Sequence, residues 1–360
     1  MSRAALLVAL AACSSASAPS APSAPAPPPK PAWEAREPGG ARPIDPGHVE
    51  PALLDARGCA TCHAAIAAEW AGSRHALAWT NGIFQREFEQ RPQQWCVNCH
   101  APLTTQQAGA FRDAGVDCAG CHVRDGRMVS AKLRPGSPHK TIADPTFGSP
   151  AYCADCHQFT FPVLGDGGAV VRFTEHPMQT TVASFRAGPY AQQPDGCMTC
   201  HGSKTNHAFG GAHDPGMLGS ALDVEWCSRG DAIDVSVKNA AAGHTVPSGD
   251  VHRHLNIRVW RSSAPEALVD IFLGRRFEEA PDGGKITTWD STLAPGESRT
   301  YPIEISRLAG DPDEPVNLEL EYVYIANEFP RPREAPDEPT ATSVFRRRAE
   351  FGAIIPCPGR

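Results

Sequence analysis

The sequence predicts an α+β protein in two parts: a mostly helical and irregular N-terminal domain crowded with cysteine and histidine, then an antiparallel β-sandwich. Three observations carry this reading. Ten of the thirteen cysteines fall between residues 59 and 200, all in one repeated spacing. That stretch is rich in Gly and Pro and shows only short helical patches, at Ala64 to Trp70, Ile83 to Phe88, Ala108 to Asp113 and Thr181 to Arg186. From about residue 230 the apolar residues change to a period of two, the pattern of half-buried strands.

The repeated spacing is Cys-x-x-Cys-His, and it occurs five times: Cys59/Cys62/His63, Cys96/Cys99/His100, Cys118/Cys121/His122, Cys153/Cys156/His157 and Cys197/Cys200/His201. It is the spacing of covalent c-type haem attachment. Two cysteines on one helical turn can both form thioethers to the porphyrin edge, and the histidine that follows faces the iron as its proximal ligand. A lone copy could equally be half of a zinc site, but here all ten cysteines of the region belong to complete motifs. Five covalently bound haem c groups are therefore expected. The porphyrins would supply the apolar mass of this haem-dense domain, which should not fold without them.

In chain order, residues 1–12 read as a signal peptide. Met-Ser-Arg is followed by an apolar run from Ala4 to Ala12 and then by small residues. Leu10-Ala11-Ala12-Cys13 matches a bacterial lipobox, which makes Cys13 the expected lipidation site and the mature N-terminus. Ser14 after it leans toward the outer membrane. Residues 13–50 form a lipidated tether dominated by Ala, Pro and Ser, a composition that favours extended backbone over a core. At roughly 3 Å per residue, about 35 such residues reach up to about 100 Å. No other segment approaches 18 consecutive apolar residues, the length of a spanning helix. The chain is thus expected to be exported and anchored to a bacterial membrane, facing the periplasm or the cell surface.

Residues 51–222 are expected to form the pentahaem domain and residues 223–360 the β-sandwich. In the latter, Ile233/Val235/Val237, Leu255/Ile257/Val259, Tyr301/Ile303/Ile305 and Leu318/Leu320/Tyr322/Tyr324 alternate with polar residues. Pro281-Asp282-Gly283-Gly284, Ala294-Pro295-Gly296-Glu297 and Asp311-Pro312-Asp313 punctuate the runs as turns. Six or seven short strands are expected. Cys227 and Cys357 are left over from the haem motifs. In an exported protein, such a pair is expected to form a disulfide.

Five irons call for five further axial ligands. Met1 is lost on processing, and Met128, Met178, Met198 and Met217 are too few for five, so bis-histidine ligation is expected, with lower potentials than Met/His. Outside the motifs stand His48, His75, His139, His176, His207, His213, His244, His252 and His254. Local context selects His75, His139, His207, His213 and His244 as candidate distal ligands. His207 and His213 flank Phe209-Gly210-Gly211, where glycine lets the backbone approach a flat ring. His244 opens a loop of the β-domain and could reach across to a haem. His176 is a reserve.

The formal charge of −7 excludes a basic nucleic-acid footprint. Ionised haem propionates would add up to about ten negative charges. A charge-steered partner should then present a positive patch.

The runs Cys59 to His75, Trp95 to Pro102, Ser137 to Phe159, Met178 to Val182 and His207 to Asp214 resemble the multihaem cytochromes c grouped with hydroxylamine oxidoreductase and its tetrahaem electron acceptor. The Ala-Gly-His-x-x-Pro-Ser-Gly loop of residues 242 to 249 is similar to the C-terminal β-domains of such proteins. The resemblance implies the same five distal ligands: His75, His139, His207, His213 and His244. Enzymes of that family carry one haem with an open position, sometimes marked by CxxCK or a crosslinking Tyr. Here every motif is CxxCH, and no Tyr is placed to argue for a crosslink.

The leading expectation is electron transfer between redox donor and acceptor proteins, with no catalytic residue assigned, because a six-coordinate iron leaves no site for substrate. Two alternatives stand beside it. In one, an oxidoreductase acts on a small nitrogen or sulfur compound at one open haem; in the other, the β-domain is a docking module for a respiratory complex.

Overall fold

The computed structural model describes residues 39–193, 195–202, 206–325 and 338–358. The signal peptide, the lipidation residue Cys13 and the tether up to residue 38 lie outside the described residues. Helices and several antiparallel sheets make the chain α+β.

Each haem motif sits on a short helix: α1 (Ala56–Ala71), α3 (Gln94–His100), α5 (Cys118–His122), α6 (Pro150–His157) and α8 (Met198–His201). α2 (Gly82–Gln90), α4 (Thr104–Gln107), α7 (Thr181–Ala187) and α9 (Pro215–Ala221) complete the helices. In α3, α5, α6 and α8 the motif histidine is the last helical residue, and in the longer α1 the backbone kinks at His63 (φ −115°, ψ 42°). The motif therefore keeps both cysteines on one turn and lets the histidine leave the helix.

Local signals start these elements. The side chains of Asp55, Asn81, Asp117 and Asp214 accept backbone N–H groups at the N-termini of α1, α2, α5 and α9. Pro150 and Pro215 occupy first turns, where a missing N–H costs nothing. The helix expected over Ala108 to Asp113 does not form. Gly109 (φ 101°) and Phe111 (φ 57°) turn left-handed there, leaving α4 and a single 3₁₀ turn at Arg112–Ala114.

Strands also enter this half. β1 (Val123–Arg124), β2 (Arg127–Ser130) and β3 (Thr141–Ala143) form a small mixed sheet, and β4 (Gln158–Leu164) pairs antiparallel with β5 (Val170–Thr180). Its protein-only cores are small: Leu54, Leu103, Ala119 and Val123 in one, Trp79, Val97 and Ala101 in another.

The C-terminal half holds β6 (Leu222–Arg229), β7 (Ala232–Asn239), β8 (His254–Arg261), β9 (Val269–Glu279), β10 (Lys285–Asp290), β11 (Ser298–Glu304), β12 (Val316–Val323) and β13 (Ala341–Ala349). They form a five-stranded sheet, β10-β9-β8-β12-β13, and a three-stranded sheet, β11-β7-β6. Both sheets feed one core: Ile233, Val235, Val237 and Ile303 from one, Leu255, Ile257, Val259, Leu318 and Leu320 from the other, all at 0 % exposure. Register places apolar against apolar, with Leu318 opposite Val259, Leu320 opposite Ile257 and Ile303 opposite Ile233. Each such side chain contributes about 1.5–3 kcal/mol by burial. On the opposite face of the larger sheet, Arg258 pairs with Glu321 (3.2 Å) and Arg346 with Glu319 (2.8 Å).

Among the described residues, eight strands form where six or seven are expected; all four alternating runs fall on strands, but β11 and β12 begin earlier than read, at Ser298 and Val316, and Ile305 and Tyr324 fall just past their ends. Cys227 on β6 is disulfide-bonded to Cys357. The chain end is held beside it by Ser228 N–H to Ile355 O and Cys357 N–H to Ser228 O, both 2.9 Å.

The C-terminal strands meet the motif-bearing half through apolar contacts, such as Phe161 against Phe277 at 5.2 Å, and through hydrogen bonds. Thr245 N–H donates to Ser184 Oγ (3.1 Å), Arg275 to Met178 O (2.8 Å), and Tyr324 Oη to Ala212 O (2.7 Å).

Candidate haem-binding site

Packing of the motif helices sets which motifs are neighbours. Cys59 lies beside Cys118, Cys99 beside Cys156, and Cys153 beside Cys197, close enough for each thiol to perturb its neighbour. The first motif thus adjoins the third, and the fourth adjoins both the second and the fifth. The first–third and second–fourth neighbours are not consecutive in sequence, whereas the fourth and fifth are.

The ten motif cysteines are equivalent by spacing but not by surroundings. Cys59, Cys96, Cys99, Cys118, Cys121, Cys153, Cys156 and Cys197 are half-buried, whereas Cys62 and Cys200 are exposed. Cys62 is the second cysteine of the first motif, in a solvent-facing stretch from Thr61 to Ala65 on α1, and Cys200 lies beside exposed Thr199 on the four-residue α8. Among the described residues, no other segment covers either thiol. A thioether requires only that the sulfur reach the porphyrin edge, so both remain fitted for attachment, at the outer margin of the motif cluster.

The histidines show a second regularity. The rings of His157 and His75 lie 6.2 Å apart, those of His122 and His207 6.4 Å, and those of His201 and His244 6.1 Å. Each pair joins a motif histidine to one from outside the motifs. A metal–imidazole bond of about 2 Å on each side, with each ring centre about 1 Å behind its nitrogen, puts two axial imidazoles roughly 6 Å apart. These three spacings are those of imidazoles facing a common iron. The interplanar angles differ: 61° for His75/His157, 32° for His122/His207 and 11° for His201/His244.

Hydrogen bonds orient the rings. Nδ1 of His100 is 2.6 Å from Ala78 O, that of His201 2.6 Å from Gly210 O, that of His244 2.9 Å from Thr245 O, and that of His122 3.3 Å from Val129 O. An Nδ1–H given to a carbonyl fixes the tautomer and presents the Nε2 lone pair to a metal. His207 has a buried Nδ1 with no hydrogen-bond partner, while its backbone N–H donates to Glu69 (2.9 Å). Burial lowers the His75 and His244 imidazoles to about 4 and holds His100, His122, His157 and His207 below the usual range. Neutral imidazole is the form that binds metal, so these residues fit a haem iron.

Backbone anchors place the outer ligands. The His75 carbonyl accepts from Val116 N–H (3.0 Å), and Gly115 at φ 62° lies so close that a Cβ there would meet His75 O at 2.6 Å. Asn239 Nδ2 donates to His244 O (2.9 Å), which ties the His244 loop to the end of β7.

The remaining candidates lie elsewhere. His139 sits half-buried in the loop before β3, with its N–H on Ser137 Oγ (3.1 Å). His213 stacks on Tyr324 at 3.9 Å with its Nε2 3.2 Å from Arg253, and burial followed by that guanidinium lowers it to about 3. His63 is exposed, like Cys62 beside it, and His100 stacks on Phe84 at 3.6 Å. Among the described residues, no second imidazole stands about 6 Å across from either. Asp117, Glu69 and Phe209 also belong to the site, though the sequence does not single them out. Asp117, directly before Cys118, carries a signal as a helix cap; Glu69 and Phe209 depend on contacts between distant segments.

Residues 58–123, which carry three of the five motifs, match the family described as Cytochrome c554 and c-prime. No curated protein matches the chain. Among solved structures, the fold is similar to that of a penta-haem cytochrome c552 from Thermochromatium tepidum. The TM-score is 0.64 at 20% identity, over 83% of this chain and 99% of that one. With the motif geometry, these likenesses support a multihaem cytochrome c with covalently bound haem c. No helix among the described residues is long and apolar enough to cross a membrane.

Proposed function

We propose that this chain is an exported, membrane-tethered pentahaem cytochrome that relays electrons between redox partner proteins. One observation carries the reading: three motif histidines lie 6.1–6.4 Å from a second, half-buried imidazole, the spacing of saturated, low-spin irons. Bound haem c would supply the one-electron couple. The chain's part is to hold each imidazole neutral and oriented, and to pack the motifs closely enough for transfer. Ligands on this reading are His63, His100, His122, His157 and His201 on the proximal side and His75, His207 and His244 opposite, with His139 and His213 as the further candidates. We read the two sheets of residues 223–360 as a sandwich that delivers His244. Residues 1–12 serve as export signal, and residues 13–50, lipidated at Cys13, as tether. Intact-mass measurement and low-temperature electron paramagnetic resonance of purified holoprotein test the proposal. Five added haems and a majority of bis-histidine low-spin signals are expected; fewer than five haems, or mainly high-spin iron, refutes it.

A second reading, an oxidoreductase with one open haem, is favoured by a specific feature. Among the described residues no second imidazole lies about 6 Å from His100, and Asp250 lies near enough to Cys96 and His100 to perturb both. A high-spin signal shifted by cyanide would select it.

A further inference from the structure

Residues 207 to 210 touch the ligand sets of three motifs at once. His207 faces His122 of the third motif, and Gly210 O lies 2.6 Å from Nδ1 of His201 in the fifth. Between them stands Phe209. Its ring lies 4.7 Å from His75, which faces His157 of the fourth motif, and 5.7 Å from His207, edge-on to both at 66° and 85°. Phe209 is also one of only three non-glycine residues with positive φ among the described residues, at 48°. Such a conformation is unfavourable for a bulky side chain, and it persists where the surroundings over-determine it. Here it is the left-handed turn that puts the phenyl ring between two imidazoles, while Gly210 and Gly211 let the chain pass on.

We propose that Phe209 is a positioning residue that fixes the ring planes of His75 and His207, and so sets the ligand fields of two neighbouring haems together. An aromatic edge against an imidazole face has a preferred geometry, and groups behind an axial ligand orient it as much as the metal does. The angle between two axial imidazole planes splits the iron d orbitals, and that splitting appears both in the low-spin resonance and in the reduction potential. One side chain in contact with two ligands ties the third and fourth motifs together. The fifth motif is left out: His201 and His244 are aligned at 11° through their own carbonyl contacts.

This inference rests on the axial assignment of His75 and His207, and the test separates the two. In the full-length holoprotein, Phe209→Gly removes the ring and relieves the backbone, Phe209→Leu keeps bulk without an aromatic edge, and Phe209→Tyr keeps the ring. Haem count is read by mass, ring planes by low-temperature resonance and potentials by spectroelectrochemical titration. With five haems retained, Phe209→Gly and Phe209→Leu should each shift two low-spin signals and their two potentials and leave the others in place. Phe209→Tyr should return both to the wild-type positions. If the glycine variant loses haem, the leucine variant decides. Unmoved signals, a uniform shift of all signals, or failure of Phe209→Tyr to restore them overturns the proposal. His75→Ala and His207→Ala run in parallel. If neither creates a high-spin iron, the axial assignment itself fails; if both do and Phe209→Gly changes nothing, only the positioning role is lost.

Discussion

Asp117 offers a quantitative test of how the third motif is held. Its carboxyl is 2 % exposed, Oδ1 accepts Gly120 N–H at 3.2 Å to start the motif helix, and Oδ2 is buried without a hydrogen-bond partner. Burial is the largest influence and raises this carboxyl from 3.8 to about 7, against the lowering effect of two backbone N–H groups. Unfolded, the group ionises near its ordinary value; folded, it holds its proton until about 7. Its contribution to stability is therefore fully present below about pH 4 and lost as pH rises to about 7. Above that the loss is constant. A difference of roughly 3 units at 1.36 kcal/mol each gives about 4 kcal/mol as the upper end. Asparagine preserves the cap and cannot ionise. Asp117→Asn should then leave stability unchanged near pH 3.5 and raise it by on the order of 2–4 kcal/mol at pH 8. Guanidinium unfolding of the holoprotein followed at the Soret band, repeated across pH, measures this. A variant that is destabilised at pH 8, or a gain that does not grow between pH 4 and 7, refutes the reasoning.

Replacing His75, His207 or His244 singly by Ala should leave five haems attached and turn one low-spin iron high-spin; the same replacement of His139 or His213 reports whether either is axial. Resonance spectra that stay wholly low-spin for His75, His207 and His244 would remove them from the ligand set. Cys13→Ala should move the haem-replete protein from the membrane fraction to the soluble one, and unchanged membrane association would exclude lipid anchoring there. Non-reducing peptide mapping should recover Cys227 and Cys357 in one crosslinked fragment. With 130 residues between the two cysteines, reduction should cost about 2–5 kcal/mol and leave the haem count unchanged; two alkylatable thiols in the native protein would rule the bridge out.

The five Cys-x-x-Cys-His motifs were legible from spacing alone, because the residues that a thioether pair and a proximal histidine require stand together on one helical turn. Their exposure was not: Cys62 and Cys200 lie on turns of α1 and α8 that no other described segment covers, which the motif itself does not encode. The alternation at Ile233 to Val237 and Leu255 to Val259 likewise located strands, since a half-buried sheet demands period two. β9 and β13 show less of it. Both include consecutive charged residues, Arg275-Arg276 and Arg346 to Arg348, and their strand character comes from pairing with β8 and β12. The hairpin β4–β5 inside the haem-bearing half was not foreseen for a similar reason. Distal ligation is a tertiary property throughout. His75 lies 82 residues from His157, His207 lies 85 from His122, and His244 lies 43 from His201, so no local pattern can pair them. Composition could show that enough histidines exist. Only the fold, by bringing His75 to α6, His207 to α5 and the His244 loop to α8, decides which imidazole faces which motif, because an axial pair is a matter of distance and ring angle in space.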